Sequence, residues 1–82
     1  MEFRNKVKLY PNPVIDFLTI ETDKTYLANI VIFNSLGQKL RIIDLEKNVT
    51  SKAIDLSNLN NGVYFIKISS RKGKSTIKKI IK

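Results

Sequence analysis

The side chains in this chain that could act on a substrate are seven carboxylates (Glu2, Asp16, Glu21, Asp23, Asp44, Glu46 and Asp55) and fifteen lysines and arginines. Histidine and cysteine are absent. Without histidine, no side chain titrates near neutrality by default. Ser–His–Asp and Cys–His relays are impossible, and zinc sites of His or Cys type and disulfides are excluded too. Paired carboxylates can serve as general acid and base or as calcium ligands, but no two of these stand at a recognisable spacing for either task. Glu21 and Asp23 come nearest, and two loop carboxylates do not make a calcium site; solvated loop charge is the reading. The glycines, Gly37, Gly62 and Gly73, are isolated, so no phosphate-cradling loop is present. No enzyme and no cofactor is expected.

What the chain does carry is a series of residues that shape backbone. In order they are Tyr10-Pro11-Asn12-Pro13, Asn34-Ser35-Leu36-Gly37-Gln38, the stretch from Asp55 to Tyr64, and a lysine-studded end, Ile77-Lys78-Lys79-Ile80-Ile81-Lys82. Between them run short β-branched segments of period two. Strands are expected at residues 7–10, 14–21, 27–34, 39–45, 50–56, 63–69 and 75–81. Pro11 and Pro13 cannot donate to a ladder, and Asn12, preceding a proline, is pushed toward an extended conformation. Gly37 is placed to take positive φ in a hairpin-type turn, and Asn61-Gly62 reads the same way. Residues 70–74 close a last hairpin, and 55–59 fit a crossover turn. Ile30, Ile32, Tyr64, Ile66 and Ile68 alternate onto inward faces, with Val31, Phe33, Val63 and Phe65 on the other side. These outward apolar residues are explained either by a covering partner or by β-propensity in half-exposed strands.

With 82 residues the chain makes one domain. The hydrophobic share of 43% and charged share of 27% suit a packed globule rather than a disordered chain. About seven strands with regularly spaced turns predict an all-β fold, an immunoglobulin-like antiparallel β-sandwich. Tyr64, just after a tight turn that follows Leu59, is either a tyrosine corner bonded to upstream backbone or simply a core aromatic. No apolar stretch approaches the roughly 20 residues needed to span a membrane, so no membrane insertion is expected. The first residues lack the apolar core of a signal peptide; if the domain is exported, its export signal lies upstream in a longer parent or the domain itself acts as a later signal.

The net charge is +8, and after Asp55 seven basic residues, from Lys67 to Lys82, stand unbalanced. Three readings stay open for this end. Clustered lysines could neutralise nucleic-acid phosphates, although the segment has one arginine and no aromatic beyond Phe65 to stack on bases. They could protect a sheet edge from aggregation. They could also present the last strand to a receptor groove.

Taken together, Tyr10-Pro11-Asn12-Pro13, Ile32-Phe33-Asn34-Ser35-Leu36-Gly37-Gln38, Asp55-Leu56-Ser57 followed by Leu59, Gly62, Val63 and Tyr64, and the terminal Lys78-Lys79-Ile80-Ile81-Lys82 closely resemble the C-terminal sorting domain of type IX secretion system cargo proteins. The order and spacing of the four motifs carry the resemblance; none is specific alone. It implies residues 7–82 as the sorting domain and 1–6 as linker or added residues. It further implies an immunoglobulin-like sandwich and a non-catalytic role at the end of a Bacteroidetes-type cargo. The parent would cross the periplasm and pass the outer-membrane translocon with its shuttle components, reaching the cell surface or medium. A sortase-like protease would then cut the domain from the upstream cargo.

Carried onto this chain, the motif positions are Pro11, Asn12, Pro13, Gly37, Leu59, Gly62 and Tyr64. The translocon-recognition positions are Lys78, Lys79, Ile80, Ile81 and Lys82. Where many relatives have a glycine after the Pro-Asn-Pro turn, this chain has Val14-Ile15-Asp16-Phe17, and a strand is expected to begin there. The rival readings are an immunoglobulin-like module binding carbohydrate or a neighbouring domain, and a nucleic-acid binder. Scattered aromatics count against the first and the lack of stacking groups against the second, so no nucleic-acid partner is expected.

Overall fold

Alternating apolar and polar residues make strands that can each bury only one face, so two sheets must stack. The computed structural model describes residues 2–82. It contains β1 (Val7–Tyr10), β2 (Phe17–Thr22), β3 (Leu27–Asn34), β4 (Lys39–Asp44), β5 (Ser51–Asp55), β6 (Val63–Ser70) and β7 (Ser75–Ile81). They form a three-stranded sheet in the order β1-β2-β5 and a four-stranded sheet in the order β4-β3-β6-β7, antiparallel throughout. This is the expected immunoglobulin-like sandwich, with the fourth strand beside the third, as variable-type domains extend their second sheet.

Leu18, Ile20 and Ile54 from one sheet and Ile30, Ile32, Ile66, Ile68 and Ile80 from the other fill the space between them. The inward set of β3 and β6 is the one that period two assigns. Gly37 and Gly73 hold φ of +81° and +85° in the β3–β4 and β6–β7 hairpins, where a side chain would be strained. Gly62 does not take positive φ, and its segment is not a hairpin. Residues 56–62 cross from one sheet to the other, and Gly62 pairs with Lys82 instead.

Two boundaries differ from expectation. The strand expected from residue 14 begins at Phe17. The Val14 N–H donates to Ile81 O of the opposite sheet at 2.7 Å, and Asp16 O accepts from Leu56 N at 2.7 Å, so residues 14–16 bridge the sheets rather than extend one. At the other end, Phe3–Lys6 form a single 3-10 turn with Phe3 buried in the core beside β7. Within residues 1–6, expected to be linker or added residues, Phe3 is buried and Lys6 half-buried, while Arg4 and Asn5 are exposed; Met1 lies outside the described residues.

Ile66→Ala, at a fully buried position, is expected to cost about 2–5 kcal/mol in urea unfolding. Ile77→Ala, 58% exposed on the adjacent strand, should stay within about 0.5 kcal/mol.

Candidate functional site

The register brings the motifs to one end of the sandwich. Asn34 lies opposite Tyr64, Tyr64 opposite Ile80, and Val63 opposite Ile81. The β3–β4 turn, the crossover into β6 and the end of β7 therefore share a pole, and the Pro11–Pro13 turn joins them through hydrogen bonds.

Ile81 and Lys82 are the hub. The Ile81 N–H donates to Asn12 Oδ1 at 3.1 Å, and its carbonyl accepts from Val14 N. Lys82 and Gly62 exchange two backbone hydrogen bonds of 2.9 and 3.0 Å. The Lys82 ammonium donates to the carbonyl of Leu59 and, at 3.4 Å, to that of Ser57. Leu59 itself packs half-buried against the core. The terminal residues thus join two motifs that lie far apart in sequence.

Short-range bonds set each loop. Tyr64 is buried, and its hydroxyl donates to Asn60 O at 2.6 Å. Of the two readings left open for Tyr64, the tyrosine corner is the one found. Asn34 Oδ1 accepts from the Leu36 and Gln38 N–H groups at 3.0 and 2.9 Å, which folds the Gly37 turn. Asp55 Oδ1 accepts from Ser57 N at 2.9 Å. Hydrogen bonds from Ser57, side chain first and backbone second, hold the Asp55 carboxyl below its ordinary range, with smaller help from the positive charges of Arg41 and Lys82.

The recognition positions fall into different surroundings. Lys79 is exposed and Lys78 half-buried on the inward side of β7. Ile80 is fully buried and belongs to the core; Ile81 is 45% exposed. The free edge of β7 is blunted, by the 3-10 turn near its start, by the inward Lys78 in its middle and by Asn12 and Val14 at its end. Pro11, Asn12 and Pro13 are exposed, and Ile15 and Leu36 are the most exposed large apolar side chains of the described residues, at 76% and 82%. This pole offers a hydrogen-bonded, partly apolar surface.

Several contributors escaped the sequence reading. Arg41 ties the edges of the two sheets by donating to Asp55 O at 2.7 Å. At the opposite pole the Arg71 guanidinium donates to Leu45 O and its N–H to Tyr26 O. No spacing marks these, because all three partners are backbone carbonyls remote in sequence.

The chain is an all-β sandwich whose turn motifs are hydrogen-bonded together at one pole. The family model for the secretion system C-terminal sorting domain matches residues 8–82, and the chain belongs to that family. It is 33% identical over 76 residues to an ulvan lyase of Nonlabens ulvanivorans; the match covers 92% of this chain and 14% of the lyase. No solved structure matches it. The chain is thus a sorting-signal domain of type IX secreted cargo, which marks a secreted protein.

Tyr64→Phe, which leaves Asn60 O without its donor, should lower unfolding free energy by about 1–3 kcal/mol. Because the folded-state pKa of Asp55 is depressed, its contribution is complete above about pH 4 and is lost as pH falls through the lowered value. Asp55→Asn should flatten the acid limb of a stability-against-pH curve and leave its slope above neutrality unchanged.

Proposed function

We propose that the sorting signal is read as a folded pole, formed by Pro11, Asn12, Pro13, Gly37, Leu59, Gly62 and Tyr64 together with the end of β7. What supports this reading is that Ile81 and Lys82 are hydrogen-bonded to both the Pro11–Val14 turn and the 57–62 crossover. Among the terminal positions, Ile80 anchors the strand in the core while Ile81 and Lys82 close the pole. Lys78 and Lys79 supply the charge that a translocon or shuttle component meets. Ile15 and Leu36 add apolar contact on the same pole. The blunted β7 edge disfavours simple strand addition as the main mode of binding.

The domain itself catalyses nothing. Its parent crosses the periplasm before reaching the surface or medium. The upstream cargo enters at the pole opposite the signal, where Phe3 is packed. A sortase-like protease that removes the domain then cuts ahead of Phe3 or must first unseat that side chain.

The test is a fusion of the 82 residues behind a signal peptide and a fluorescent protein, in a type IX-competent strain and a translocon-null strain. Deleting Lys78, Lys79, Ile80, Ile81 and Lys82 should abolish surface or medium fluorescence. The sharper variant is Ile15→Ser with Leu36→Ser, which should leave unfolding within about 0.5 kcal/mol per site. Its export should nevertheless fall about tenfold, equivalent to about 1.4 kcal/mol of recognition. Normal export of both variants would refute the reading.

A further inference from the structure

The outer face of the four-stranded sheet carries apolar side chains on all four strands, with lysines among them. In one cross-strand row Ile42, Val31, Lys67 and Ile77 stand side by side; in the next, Lys39, Phe33, Phe65 and Lys79 do. Ile42 and Ile77 are 59% and 58% exposed, while Val31, Phe33 and Phe65 are half-buried. The four strands span about 14 Å at the usual spacing of neighbouring strands. Five apolar side chains grouped around a single lysine on one sheet face mark an interaction surface.

Charge narrows the occupant. Lys39, Lys67 and Lys79 project from this face, and none forms an ion pair among the described residues. The one carboxylate on the face, Asp44, sits at its corner, in the row of Asn29 and Ser69. A second copy would set lysines against lysines in a chain that already carries +8. A lipid layer would have to bury Lys67, which lies in the middle of the apolar strip rather than at its rim. A protein surface with carboxylates between apolar side chains answers both constraints, pairing each lysine while covering the strip.

We infer that this face docks an apolar protein surface bearing acidic side chains, distinct from the Pro11–Pro13 turn and the 57–62 crossover but sharing Lys79 with the terminal strand. The contact centres on Phe33, Phe65 and Lys67, with Ile42 and Ile77 at its flanks.

The test uses the 82-residue chain with labelled amides. It is titrated by NMR with a short peptide alternating leucine and glutamate, then with one alternating serine and glutamate, then with phosphatidylglycerol vesicles; sedimentation reads self-association. Shifts from the leucine–glutamate peptide should cluster on β3, β4, β6 and β7 outward positions. Lys67→Gln and the exposed pair Ile42→Thr with Ile77→Thr should each weaken binding about tenfold (about 1.4 kcal/mol) with circular dichroism unchanged. Equal binding of the serine–glutamate peptide would overturn the proposal by reducing the effect to net charge. Preference for vesicles, self-association through this face, or shifts confined to other surfaces would overturn it as well.

Discussion

The paired hydrogen bonds between Gly62 and Lys82 are the closure on which this sandwich depends. At 82 residues a domain buries only about 60% of its unfolded surface, and no disulfide is available to hold the loops. The loops at the motif pole bury Val14, Leu56 and part of Leu59, and their placement rests as well on backbone groups finding partners across the two sheets. Lys82 holds the crossover through backbone and ammonium alike, and Ile81 holds the Pro11–Val14 turn. Once these are in place, the Tyr64 hydroxyl and the Asn34 side chain complete loops already positioned by the ladder.

The architecture was legible because turn residues and period two act locally. Asn34, Gly37 and Gly73 sit between apolar runs, and each hairpin closes on its own side chains and backbone. The tyrosine corner was open to inspection for the same reason, since Tyr64 and Asn60 stand four residues apart. Residues 14–16 read as strand because Val14 and Ile15 are β-branched, yet the Val14 N–H is claimed by the other sheet. Gly62 read as a positive-φ hairpin glycine, but its neighbours in space come from the far end of the chain. Phe3 has no periodic context, so only the fold reveals that it is core. The sorting motifs could be named from sequence, but their meeting at one pole could not.

The basic end also divides once the side chains have positions. Lys82 satisfies carbonyls that a crossover leaves without donors. Lys78 points inward on an edge strand, a placement that discourages another chain from pairing there. Lys67 and Lys79 stand on an apolar outer face. Nucleic-acid binders gather lysines on one surface to track a phosphate backbone. Here the basic residues of the C-terminal third are distributed over separate surroundings.

The Asn12 to Ile81 hydrogen bond joins residues 69 positions apart. It has a temporal meaning. During synthesis the Pro11–Pro13 turn leaves the ribosome long before its partners exist, and the same lag recurs if the chain threads a membrane N-terminus first. A shortened or interrupted polypeptide could form most of both sheets and still leave this pole unmade. The bond therefore makes this pole depend on residues from both ends of the fold at once.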